Sequence, residues 1–222
     1  MRYLITDTSE RNRSLSLLDG LVQDYRAYSC HPLHPTELAR IFIYPIAPGG
    51  LLQRYQLRAL EDAALEVFDT QAYVVATEGW DPTSRKFLAE PVITGVDLSD
   101  YEAYSEPRLQ DGFFMQDNVV MSPQGAWAIL MCHSGHAVGC GEASMVSALE
   151  ERLPTTESMI NQWLGLWAEE WGGNPEKELA WVLVQLKDIV GAELAEKLWR
   201  DHGFVLPEPC REAGPSAENE RC

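Results

Sequence analysis

Two short segments concentrate the residue types that do chemistry in this chain. Cys30-His31-Pro32-Leu33-His34 and Cys132-His133-Ser134-Gly135-His136 share the spacing CHxxH, and Cys140 follows the second of them. Thiolate and imidazole suit zinc, so one chemistry is a metal site assembled from both segments. No paired CxxC accompanies them, the spacing matches no structural zinc pattern, and a shared site requires two distant loops to meet. The second chemistry is nucleophilic, with Cys132 or Cys140 as thiol and His133 or His136 as base. Neighbours on a strand point to opposite faces, so Cys132 and His133 make a poor dyad. Cys140, between two glycines, is the better candidate if it occupies an exposed turn. Loop histidines and a buried strand cysteine account for the same residues without any chemistry, and neither metal nor cofactor is expected.

The remaining catalytic signals are weaker. The acidic pairs Glu150-Glu151 and Glu169-Glu170 fall in helical segments, where a solvated face explains them. Gly139-Cys140-Gly141 lacks the rest of a phosphate loop, and the patterns GxGxxG, GxxxxGK[ST] and GxSxG do not occur. No catalytic residue is assigned. The alternative is a thiol- or metal-dependent enzyme using His31, His34, Cys132, His133, His136 and Cys140.

Charge is the most informative global property. The 222 residues carry a formal charge of −17, spread unevenly: +2 over residues 1–58, −10 over 59–120 and −9 over 121–222. Direct nucleic-acid binding needs clustered basic residues to neutralise phosphates and is not expected. An acidic surface serves solubility or a basic protein partner. The five cysteines are odd in number and read as reduced thiols. No secretory signal is visible in MRYLITDTSERNR, and no stretch approaches the roughly 20 apolar residues that span a bilayer. A cytoplasmic protein with no membrane partner is expected.

The elements that position these groups follow from hydrophobic spacing. Residues 111–141 read as a β-meander: Phe113–Met115 and Val119–Met121, a Ser122-Pro123-Gln124-Gly125 turn, and Ala126–Cys132. That last run is continuously apolar, as for a strand covered on both faces. Ala137–Val138 begins a short third strand before Gly139–Gly141. Upstream, Tyr3–Ile5 suits an edge strand, Ser14–Tyr28 a helix, Ile41–Tyr44 an apolar run and Leu51–Phe68 a helix. On that second helix Leu52, Tyr55, Leu60, Ala63, Ala64 and Val67 face inward, with a slip near Leu57. Ala72–Thr77 and Pro91–Val96 read as strands, with a polar turn at Trp80-Asp81-Pro82, and Leu98–Leu109 as an acidic connector. Downstream, three helices fall within residues 154–203. The first begins at Thr155 or Thr156 as N-cap and carries the stripe Met159, Ile160, Trp163, Leu164, Trp167 and Trp171, assigned to core. The chain is therefore α+β: a mixed N-terminal portion, a central antiparallel meander and a C-terminal bundle of three helices. Residues 1–206 form one domain, with a sub-boundary near 150 separating the helical 154–203 region, and 207–222 form a disordered acidic tail.

Met121-Ser122-Pro123-Gln124-Gly125-Ala126-Trp127-Ala128-Ile129-Leu130, followed by His136-Ala137-Val138-Gly139, resembles a segment of small bacterial immunity proteins of polymorphic-toxin and interbacterial-secretion systems, type VI secretion among them. There a serine-proline or serine-glycine turn leads into a strand that begins with tryptophan, and a histidine-alanine-valine-glycine turn follows. Cys140 stands where a second glycine is usual. The resemblance implies a non-enzymatic cytosolic antitoxin that binds a cognate toxin and blocks its active site or substrate groove. It transfers no functional residues.

The charge points the same way independently, because a toxin acting on nucleic acid carries a basic groove that an acidic inhibitor can fill. The densest acidic candidates are Glu61, Asp62, Glu66 and Asp69 near the second helix, and Asp97, Asp100, Glu102, Glu106 and Asp111 in the connector. Tyr101 and Tyr104 supply contact aromatics there. An acidic adaptor or scaffold without a toxin is the remaining alternative.

Overall fold

The computed structural model describes residues 2–25, 31–34, 37–47, 51–67, 70–77, 80–81, 83–84, 86–88, 91–100, 117–132, 135–171 and 180–206. Seven strands form one antiparallel sheet: β1 (Arg2–Leu4), β2 (Ala39–Ile43), β3 (Gln71–Ala76), β6 (Ile93–Asp97), β7 (Asn118–Met121), β8 (Trp127–Met131) and β9 (Ala137–Gly141), in the order β1-β6-β3-β7-β8-β9-β2. β4 (Trp80–Asp81) and β5 (Lys86–Phe87) make a separate hairpin. The helices are α1 (Thr8–Leu21), α2 (Arg54–Val67), α3 (Ala143–Glu150), α4 (Thr156–Trp171), α5 (Ala180–Val190) and α6 (Ala192–Asp201). The α+β class expected from the sequence is the observed one.

The meander β7-β8-β9 lies where the hydrophobic runs place it. Its first turn closes with the Gly125 N–H donating to Ser122 O at 3.1 Å, while Gly125 takes φ 73°, a value that favours glycine. Every residue of β8 is buried although successive side chains face opposite ways, so both faces of this strand are covered. The same holds at Ile41, Phe42 and Ile43 of β2. Register fixes the faces. Tyr73 aligns with Gly95 and Met121, and Met121 with Ala128. On that face the Tyr73 hydroxyl donates to Glu10 Oε1 of α1 at 3.0 Å. Further along the same face, Phe42 meets Trp163 of α4 with ring centroids 5.0 Å apart.

The mixed N-terminal portion is woven into the sheet and does not stand beside it. β1, β3 and β6 form one end, while β2 crosses to the other end and pairs with β9. α4 and α5 pack against β2, and a single apolar cluster runs from Leu18 through Phe42 and Val138 to Trp163 and Leu198. Of the expected stripe, Met159, Ile160, Trp163 and Leu164 are buried and Trp167 is partly buried against the core, while the side chain of Trp171 lies outside the described residues.

Several boundaries differ from the sequence expectation. α1 begins at Thr8, not Ser14, because Asp7 caps it by accepting from the Glu10 N–H at 2.8 Å. Ser14 lies buried within the helix, its hydroxyl donating to Glu10 O. On α2, Leu57 is buried and Tyr55 is 43% exposed, so the slip belongs to Tyr55. Gln56 Oε1 accepts from the Gln53 N–H at the start of α2, half of a capping box. α3 intervenes between the meander and the three C-terminal helices. β9 runs through Gly139-Cys140-Gly141, where the sequence suggested a break. Gly139 pairs with Ile129 and Ile41, and an added Cβ there would lie 2.9 Å from Ile41 Cγ2, so glycine is required by a close approach within the sheet. The Phe113–Met115 run and the 207–222 tail lie outside the described residues.

Candidate protein-interaction surface

α2 turns one face to the core through Leu57, Leu60, Ala63 and Ala64 and leaves the other to solvent. The outer face carries Arg54 and Arg58 toward its start, Asp62 and Glu66 toward its end, and Leu65, which is 68% exposed. Leu65 is apolar but off the buried stripe, a signal that sequence spacing offered and the acidic pattern obscured. Arg54 in the first turn and Glu66 in the last both oppose the helix macrodipole, each costing about 0.3–1 kcal/mol at low ionic strength. Selection for helix stability alone favours the reverse order.

Among the described residues, the fold sets α2 beside the start of the connector, which holds Asp97 and Asp100. α2 packs against the 3-10 turn Leu98–Asp100, and the Leu98 N–H donates to Thr70 O at 2.9 Å just beyond the end of the helix. Within this region the carboxylates have different duties. Asp97 holds the fold: its Oδ2 accepts from Gln71 Nε2 at 2.7 Å and Thr70 Oγ1 at 3.2 Å, and its Oδ1 from the Ser99 N–H and hydroxyl. Burial raises its pKa, but the bonds from Ser99 and Thr70 outweigh this and hold it below the usual carboxylate value. Glu66 accepts from Arg152 at 2.6 Å. Glu61 and Asp62 have no cationic partner among the described residues, and Asp62 and Asp100 are exposed. Asp69, Tyr101, Glu102, Tyr104, Glu106 and Asp111 lie outside the described residues.

The two CHxxH segments are placed differently from one another. His31 Nδ1 lies 2.7 Å from Asp188 Oδ2 of α5, and Arg40 Nη1 lies 3.7 Å from the same oxygen. Arg40 Nη2 donates to His34 O, so the first segment is strapped against β2 and α5. His136 is fully buried, stacked on Phe42 at 5.7 Å and tilted against Trp163 at 4.6 Å. It is a core side chain. Among the described residues no group of three or more His, Cys, Asp or Glu is placed to hold a metal ion. Cys30 and His133 lie outside them.

Cys140 is not in an exposed turn. It sits on β9 opposite Ala128 and Arg40, and burial pushes its thiol pKa up to about 11, against the lowering effect of Arg40. A thiol so held is protonated at neutral pH and is a poor nucleophile. Cys132 is likewise buried.

Compared with family models, curated proteins and solved structures, the chain matches none. No helix among the described residues is long and apolar enough to cross a membrane.

Proposed function

We propose that this chain is an immunity protein that binds a cognate bacterial toxin, a nuclease first among the classes considered, and blocks its active site or substrate groove. The observation that carries the reading is the α2 surface. There, Asp62 and Leu65 stand exposed together at the acidic end of a helix whose charge order runs against its own dipole. An apolar contact beside the exposed carboxylate of Asp62 fits a basic groove with an apolar floor. The net charge of −17 supports it by steering a basic partner, and the likeness of residues 111–141 to immunity proteins supplies the class.

The test is co-expression with the toxin encoded beside it. Wild-type chain protects the cell and forms a complex. Replacing Asp62 and Asp100 together by lysine slows association about tenfold at low salt, and the difference shrinks as salt is added. Absence of both complex and protection would sink the reading. Salt-independent association would remove charge as its basis and leave the acidity to solubility.

A further inference from the structure

Residues 31–34 are held differently on their two sides. Toward the end of α1 the hold is backbone. Leu33 forms an isolated bridge with Val22, the Gln23 N–H donates to Pro32 O at 2.9 Å, and the His34 N–H donates to Leu21 O at 3.1 Å. Toward β2 and α5, among the described residues, the polar hold is made by side chains. Arg40 Nη2 donates to His34 O at 2.9 Å, and His31 Nδ1 lies 2.7 Å from Asp188 Oδ2. Arg40 Nη1 lies 3.7 Å from that same oxygen, so one carboxylate serves both contacts.

Asp188 stands in the last turn of α5, where a carboxylate opposes the helix macrodipole. Its place there is explained by what it holds and not by the stability of the helix. The neighbouring Lys187 is engaged elsewhere, 2.7 Å from Glu196 Oε1 of α6. Arg40 aligns with Cys140 of β9, and paired positions share a face of the sheet. The Arg40 side chain is only 12% exposed, and Cys140 and Leu33 are buried. The segment that Arg40 bonds therefore lies at this part of the face.

We infer that residues 31–34 are a strap hinged on the end of α1 and latched by Asp188, which opens while the rest of the fold stays closed and uncovers the sheet at Arg40 and Cys140. The inference is independent of the immunity reading. Swinging about the backbone bonds to Leu21 and Gln23 breaks the latch contacts and withdraws Leu33. His31 and Asp188 are partly exposed, and pairs of that kind contribute little. A segment latched so lies toward the low end of local stability. The ladder survives the opening, because β2 stays paired with β9.

Cys140 reports the opening, and Cys132, just past the far end of β8, reports unfolding of the sheet. The full chain is treated with iodoacetamide at pH 8 over a series of sub-denaturing urea concentrations, and each thiol is followed by peptide mass analysis. Cys140 is expected to label ahead of Cys132 and with a shallower dependence on urea, since a local opening exposes less surface than unfolding. Asp188→Ala should raise the Cys140 rate about tenfold by removing both contacts to the latch, and His31→Ala about threefold by removing one. Glu196→Ala breaks the bridge to Lys187, leaves the latch alone and should leave the Cys140 rate unchanged. Labelling of Cys140 and Cys132 together, with one urea dependence in the wild type, overturns the proposal. So does a Cys140 rate unmoved in both latch variants. An equal rise in Glu196→Ala also overturns it, because a general loosening of α5 would then account for the rate.

Discussion

Arg152 Nη2 lies 2.6 Å from Glu66 Oε2, joining the residue just past α3 to the last turn of α2. The same guanidinium donates through Nη1 to Ala148 O at 2.7 Å, covering a carbonyl at the end of α3. One side chain thus ties two helices and neutralises one of the carboxylates that the charge pattern offers to a partner. The acidic surface available for binding is narrower than its sequence suggests and centres on Asp62 and Leu65.

Arg152→Ala is expected to cost no more than about 1 kcal/mol, because the pair is partly exposed and such bridges contribute little. Its effect on association should have the opposite sign. Uncovering Glu66 adds negative potential beside Asp62, so a basic partner should arrive faster at low salt. Stopped-flow association at two salt concentrations checks this; an unchanged or slower rate would place the contact surface elsewhere.

His136→Ala is expected to destabilise the protein by about 3 kcal/mol, the scale for removing a large buried ring. The imidazole fills space between Phe42 and Trp163, with Trp181 stacked at 6.1 Å. Urea unfolding followed by tryptophan fluorescence measures the loss directly. A change below about 0.5 kcal/mol would mean that the ring contributes no packing, contrary to its full burial.

What the sequence conveyed and what it hid divide along physical lines. The run Ala126–Cys132 announced a strand covered on both faces because continuous apolarity has that cause. The run Ile41–Tyr44 was legible as an apolar segment, but nothing local says that it crosses the sheet to pair with β9. Gly139-Cys140-Gly141 read as a break because glycine suits turns as well as close approaches within a sheet. Only the register against Ile41 and Trp127 distinguishes the two. The start of α1 was missed because its first turn is polar and its signal is the single cap Asp7. Both acidic groups were visible as composition. That α2 meets the Leu98–Asp100 turn, and that Asp97 and Glu66 are already engaged, are facts of tertiary contact.

Gly139→Ala and Gly141→Ala should each cost about 1–3 kcal/mol, the scale for forcing atoms into a packed interior. The added Cβ at Gly139 would lie 2.9 Å from Ile41 Cγ2 and 3.2 Å from Ala128 O; at Gly141 it would lie 2.9 Å from Trp127 Cβ and 3.3 Å from Ala126 O. A backbone oxygen on the β8 side at each position leaves little room to yield. Thermal unfolding of the two variants reports the cost, and midpoints equal to wild type would mean that β2, β8 and β9 do not pack at this register.

Cys140 links stability to alkaline pH. Its folded pKa is raised to about 11 from an ordinary value of 9.0, chiefly by burial. Between these values the unfolded chain loses the thiol proton and the folded chain keeps it, so the unfolded state binds fewer protons and stability falls as pH rises. The contribution is fully present below pH about 9 and is lost by pH about 11, amounting to about 3 kcal/mol for a shift of this size. Tyr25 acts in the same direction, its hydroxyl raised by burial and by its hydrogen bond to Asp19 at 2.7 Å. Unfolding free energy measured from pH 8 to 11 is therefore expected to fall in the wild type and to fall less steeply in Cys140→Ala. Tyr25→Phe should flatten the upper end of the same profile, where the phenol begins to ionise in the unfolded chain. In the native protein at pH 8, Cys132 and Cys140 should resist iodoacetamide until denaturant is added. Rapid native labelling of Cys140, or a pH profile unchanged in Cys140→Ala, would show a thiol open to solvent and ionising freely, and would restore the nucleophile that its place on β9 removes.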